Sequence, residues 1–98
     1  GDQEYLRKTV AATVRDRKGL TTSLEAEGLR VAPSQANFVL VDVGRPGRAV
    51  YESLLREGVI VRPMRAPIES CIRVTVGLPE ENTVFLEALR RVLRETRA

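Results

Sequence analysis

Apolar positions recur along the chain with two different periods, and the switches between them outline the fold. Over residues 3–27, Leu6, Val10, Val14, Leu20 and Leu24 return at intervals compatible with 3.6 residues per turn, which predicts one long helix. Asp2 offers an N-cap oxygen at its start. Gly28 followed by apolar Leu29 is the pairing that ends a helix in a left-handed turn. The same ending recurs at Glu57-Gly58-Val59 and closes a second helix over residues 46–57. Pro46 suits its first turn, where a missing N–H has no partner to lose. Between these helices the period drops to two. Residues 37–43 alternate Phe38 and Leu40 with Val39, Val41 and Val43, a strand covered at least partly on both faces. Residues 59–62 predict a second strand. Residues 71–76 predict a third, with Ile72, Val74 and Val76 inward and Arg73 and Thr75 outward. The helical period returns over residues 79–96, where Phe85, Leu89, Val92 and Leu93 form the stripe and Glu80 and Glu81 suit the positive end of the dipole.

The order is helix, strand, helix, strand, strand, helix, with a short extra strand expected at residues 29–32. Such an alternation predicts an α/β chain of the two-layer α+β kind: a small mixed or antiparallel sheet with helices packed on it. With 98 residues it forms a single domain. Its 43% hydrophobic and 30% charged content is that of a folded globular chain. No apolar run nears the roughly 18 residues of a membrane span, and no signal peptide is recognisable, so a cytoplasmic location is expected. The net charge of +3 is spread over 16 basic and 13 acidic residues without a dense basic block. The only aromatic residues are Tyr5, Phe38, Tyr51 and Phe85. That pattern argues against nucleic acid as a partner.

The candidate chemistry is narrow. Histidine is absent, which removes the usual general base and metal ligand from these residues and leaves Ser34, Ser53 and Ser70 without an activator. The lone Cys71, beside Ile72, reads as an inert buried thiol, and no metal site is expected. Lys8 and Lys18, the only lysines, fall on the exposed side of the first helix, outside any apolar pocket that would activate an amine. Neither phosphate-binding glycine pattern, GxGxxG or GxxxxGK[ST], occurs. What stands out is Arg62 and Arg73. Each interrupts an apolar strand with a permanent charge beside the connection 63–70. Guanidinium forks on adjacent strands could hold a doubly anionic small molecule in bidentate fashion. On pattern alone, outward-facing sheet arginines paired with Asp42 or Glu69 are the more common arrangement. Asn37 opens its strand and could bond a ligand, though asparagine is also common at such turns.

Pro33-Ser34-Gln35-Ala36-Asn37-Phe38-Val39-Leu40-Val41 resembles the PSxANFxLV segment of histidinol-phosphate aminotransferases. Gly58-Val59-Ile60-Val61-Arg62 resembles their GVxVR strand. Cys71-Ile72-Arg73-Val74-Thr75-Val76-Gly77, followed by Pro79-Glu80-Glu81-Asn82 and Phe85-Leu86-Glu87-Ala88-Leu89, resembles their CxRVTVGTPEEN…FLxAL ending. The three segments occur in family order across residues 17–93. The resemblance implies that residues 1–98 are the C-terminal small domain of a fold-type I, pyridoxal-phosphate-dependent enzyme of histidine biosynthesis. It implies that the Schiff-base lysine and most cofactor contacts lie in a large domain outside this segment. The domain alone would then be inactive and hold no catalytic or cofactor-binding residue. It also implies a homodimeric whole enzyme and an amino-acid or phosphate substrate. Arg73 would grip the substrate α-carboxylate, Arg62 would help bind the substrate phosphate, and Asn37 would lie near the mouth of the site or shape the strand entry.

Two features depart from the family pattern. Leu78 stands where threonine usually caps the last helix, a loss of about 1 kcal/mol. The 64–70 connection also lacks the family's glycines, which bears on substrate choice. A threonine-phosphate decarboxylase would need the same anion sites. A free-standing amino-acid-sensing domain of ferredoxin-like type fits the element order too. An RNA-binding module would need the stacking aromatics that this sheet lacks.

Overall fold

The computed structural model describes residues 2–34 and 37–95, and within the first helix the side chains of Gln3, Glu4 and residues 14 onward. The expectations for an Asp2 cap, for Leu6, Val10 and Lys8, and for a helix end at Thr96 fall outside that description. The elements run α1 (Asp2–Ala26), β1 (Arg30–Ala32), β2 (Phe38–Asp42), α2 (Gly47–Arg56), β3 (Arg62–Pro63), β4 (Cys71–Thr75) and α3 (Pro79–Glu95). The four strands form one sheet in the order β1-β2-β4-β3, antiparallel at every pairing. This is the α+β arrangement expected from the alternation, with the antiparallel form of the sheet.

Both helix endings are built as the Gly-apolar pairs predict. At the end of α1, Gly28 takes φ +83°. Its N–H donates to Glu25 O at 2.9 Å, and Leu29 N–H donates to Leu24 O at 3.3 Å. At the end of α2, Gly58 takes φ +81°. There Gly58 N–H donates to Leu55 O at 3.0 Å and Val59 N–H to Leu54 O at 2.9 Å. A Cβ would be strained at either glycine, so only glycine ends these helices cleanly.

The second ending corrects the strand expected at 59–62. Val59 has given its N–H to the helix end, and Ile60 is 78% exposed. Ladder pairing therefore begins only at Arg62; the regular strand ends at Pro63, with one further bond from Met64 N–H to Cys71 O at 3.2 Å. At the other end of α2, Pro46 is the N-cap residue and not part of the first turn. At β4 the regular strand stops at Thr75, although Val76 N–H still donates to Asn37 O at 2.8 Å.

The start of α3 shows how Leu78 is tolerated. Glu81, the third residue of the helix, reaches back so that its carboxylate accepts the Leu78 N–H at 2.8 Å. The Asn82 side chain accepts the Gly77 N–H at 2.9 Å and donates to Gly77 O at 3.1 Å. Half of a reciprocal capping arrangement therefore survives without a hydroxyl at the cap position.

One hydrophobic core joins all three helices to one face of the sheet. Leu20 and Leu24 of α1, Val50 and Leu54 of α2, and Phe85, Ala88, Leu89 and Val92 of α3 close over Val39, Val41, Ile72 and Val74. Strand side chains alternate, so Phe38, Leu40, Arg73 and Thr75 point to the other face. Helix α2 is held tightly against β4. Gly47 N–H donates to Glu69 O at 2.8 Å, and Val43 N–H donates to Ser70 O at 2.9 Å. Arg45 ties this corner to α3, donating from Nε to Val43 O at 2.9 Å and from NH1 to Leu93 O at 2.7 Å. The surface pairs Arg91–Glu57, at 2.6 Å, and Arg90–Glu27 link α3 to the ends of α2 and α1. Exposed pairs of this kind contribute little.

Candidate anion-binding site

Arg62 and Arg73 are direct cross-strand partners in the β3–β4 ladder. Residues opposite each other in a ladder project to the same face, so both guanidiniums leave the sheet on the side away from the core. Beside them on that face come Leu40, the β2 partner of Arg73, and Phe38, its diagonal neighbour. The Arg73 guanidinium carbon stands 5.2 Å from the centre of the Phe38 ring. A cation over a ring at an open site contributes about 0.5–1 kcal/mol, and here it also holds a long side chain in one direction. Arg73 is half-buried and Arg62 exposed.

Among the described residues neither arginine forms an ion pair or a hydrogen bond through its side chain. Pairing with Asp42 or Glu69 is therefore not what the structure contains. The Asp42 carboxylate instead accepts the Gly44 N–H at 2.9 Å. Like charges directly opposite in a ladder are unfavourable. Such repulsion is weak in bulk water and grows as burial lowers the effective dielectric. An anion lying between them would remove that cost.

Two adjoining hollows open over the pair. One, of about 390 Å³, is bounded by Tyr51 of α2, Ile60, Val61 and Thr75. The other, of about 950 Å³, is bounded by the connection from Met64 to Glu69. Arg48, Arg62, Pro63 and Arg73 line both. The connection is folded back by bonds from Met64 N–H to Cys71 O at 3.2 Å and from Ile68 N–H to Arg65 O at 3.0 Å. It thus forms a wall of the site, and its Ala66–Pro67 bond is cis. Asn37, the third candidate, is exposed at the start of β2 and lines neither hollow. The structure brings the two arginines together and leaves Asn37 apart from them.

Sequence reasoning missed Arg48. It lies in the first turn of α2, which carries no acidic residue and has a proline without a capping side chain before it. A cation there meets the positive end of the helix dipole, an arrangement disfavoured by about 0.3–1 kcal/mol. That misfit was the available signal.

The Cys71 thiol is half-buried at the start of β4. Burial pushes it above the ordinary thiol range, and the Asp42 carboxylate adds to the rise against an opposing bond with Ser70. The full burial expected of it is therefore corrected to partial burial, because Cys71 sits on the strand face away from the core. Among the described residues no cluster of histidine, cysteine or acidic side chains could hold a metal ion. No described helix is long and apolar enough to cross a membrane.

A sequence model of the aminotransferase class I and II family matches residues 1–89. The chain belongs to the class I and II aminotransferases. Among curated members of this aminotransferase family, a histidinol-phosphate aminotransferase of Symbiobacterium thermophilum is 44% identical over 95 residues. The alignment takes in 96% of this chain and 26% of that protein, so the chain spans about a quarter of its relative's length. Among solved structures, the histidinol-phosphate aminotransferase of Sinorhizobium meliloti in complex with pyridoxal-5'-phosphate superimposes with a TM-score of 0.89 at 31% identity, covering 98% of this chain and 28% of that one. An L-threonine-O-3-phosphate decarboxylase of Porphyromonas gingivalis follows at 0.71 and 27% identity, over 90% of this chain and 28% of that one. The family resemblance carried by the three motifs is thereby borne out.

Proposed function

We propose that this aminotransferase segment is the substrate-gripping small domain of a histidinol-phosphate aminotransferase, which moves an amino group from histidinol phosphate to 2-oxoglutarate. The observation that carries the reading is the opposed, internally unpaired couple Arg62–Arg73 on the open face of the sheet. The likeness to the Symbiobacterium and Sinorhizobium enzymes supports the choice of substrate. Arg73, steadied by Phe38, would take a carboxylate of the dicarboxylic partner in a two-point grip. Arg62 would take the phosphate of the other substrate. Their work is positioning: a bound anion fixed at one end presents its amino-bearing carbon in one orientation.

Pyridoxal phosphate, when bound, supplies the electron sink for such a reaction. The described side chains of this segment do not fit it. Lys18 stands exposed on α1 and lines neither hollow, so no described amine is placed to meet the cofactor aldehyde. The large domain of the same chain would hold it. In this reading the complete protein is a cytoplasmic homodimer of histidine biosynthesis.

The test is Arg73→Ala in the complete enzyme. We expect kcat/KM to fall by about a hundredfold or more, since a charged two-point contact is lost, with the cofactor absorbance unchanged. An unaltered rate removes Arg73 from the site. A threonine-phosphate decarboxylase would use the same anion grip, and release of carbon dioxide in place of a keto product would assign the protein there.

A further inference from the structure

We propose that Arg48 is a third arm of the anion site and sets its preference for a phosphomonoester over a simple carboxylate. The inference deepens the reading above and rests on the hollows being the substrate site. Arg48 lines both hollows from the helix side, whereas Arg62 and Arg73 line them from the sheet. The three cations therefore converge from different elements. Like the strand pair, Arg48 has no side-chain ion pair or hydrogen bond among the described residues. It also occupies a helix position where a cation is disfavoured, so local structure gives no reason for it.

The charge balance points the same way. The larger hollow is lined by Arg48, Arg62, Arg65 and Arg73 against Glu69, an excess of three positive charges. One carboxylate is matched by a single fork, which Arg73 supplies. A phosphomonoester carries about −1.5 to −2 charge at neutral pH and three acceptor oxygens. It therefore has acceptors and charge to spare for a second cation after Arg62 has bound two oxygens, and Arg48, which lines the same two hollows from α2, would supply it. Glu69 offsets part of the field and would bias the site against a ligand with a negative charge at every corner.

The complete enzyme tests this with Arg48→Gln, Arg48→Lys and Arg73→Ala. The readouts are KM and kcat for the phosphorylated amino donor and for glutamate, and the inhibition constant of inorganic phosphate. We expect Arg48→Gln to raise the donor KM and the phosphate inhibition constant by roughly tenfold or more, the size of one charged hydrogen bond. The effect on glutamate should be several-fold smaller, and kcat should move less than KM. Arg48→Lys should recover part of the loss, because charge remains while the fork is gone. A phosphate inhibition constant that stays within about twofold in Arg48→Gln, in an enzyme that Arg73→Ala cripples, overturns the role of Arg48 and leaves the site standing. No effect of Arg73→Ala removes the site itself. An equal loss on both substrates together with a lowered melting temperature marks Arg48 as structural and equally overturns the proposal.

Discussion

Among the described glycines, Gly47 makes the closest approach to another segment, at the start of β4, and adding one methyl group there tests it. A Cβ built on Gly47 would lie 2.6 Å from Cys71 O, 3.0 Å from Glu69 O and 3.3 Å from Cys71 C. All three atoms are backbone, so no side chain can swing away. Either α2 retreats from β4, or the 69–71 backbone moves and weakens the Gly47 N–H to Glu69 O bond of 2.8 Å. Overpacking of this kind costs about 1–3 kcal/mol, and losing a buried backbone bond adds about 1 kcal/mol. The better helix propensity of alanine returns at most about 1 kcal/mol. The expected balance for Gly47→Ala is a loss of about 2 kcal/mol, or roughly 8–16 °C in Tm for a domain of this size. Urea unfolding followed by circular dichroism gives the free energy from the midpoint at constant slope. Gly19→Ala is the control. It lies inside α1 with nothing within 4 Å of its Cβ position, so it should gain about 0.5–1 kcal/mol. If Gly47→Ala matched that gain, the close approach of α2 to β4 would not exist in solution.

The other expectations concern the cap and the thiol. Leu78→Thr restores a hydroxyl at a 64% exposed cap position whose partner Glu81 is already in place, and should stabilise the chain by about 1 kcal/mol in the same unfolding assay. A neutral or negative result would mean that Glu81 and Asn82 already complete the cap. Cys71 should alkylate with iodoacetamide more slowly than a free thiol at pH 8, with a midpoint above the ordinary value of about 8.5. The folded chain holds that proton more tightly than the unfolded one. The group therefore supports stability below the unfolded pKa and loses that contribution as pH rises through the raised folded value. A midpoint at or below about 8.5 would contradict the effect of partial burial and the influence of Asp42.

The parts of the fold legible in the sequence were those set by neighbours along the chain. Gly28-Leu29 and Gly58-Val59 announce their helix ends because the bonds involved span five residues or fewer. The alternation in β2 and β4 reports burial directly, since one face meets the helices. Val59-Ile60-Val61 misled because three β-branched residues favour a strand, while the helix end they follow had already claimed the first N–H. Tertiary context overrode propensity there. At the site, the two strand arginines were visible as charges breaking an apolar run. Their standing opposite each other was not, because register is a non-local property. Arg48 was hidden because a polar residue on a helix is ordinarily just solvated.

The alternation in β4 has a further meaning for how such a protein can change. Ile72 and Val74 answer to the valines and leucines behind them, and Arg73 and Thr75 answer to whatever arrives from outside. Adjacent letters of one strand thus serve separate ends, and ligand preference can drift on the odd positions while the even ones keep the domain intact. The vulnerability is translational: displacing this strand by a single place would plunge a guanidinium among hydrocarbon and push isoleucine into water, forfeiting recognition and folding in one stroke.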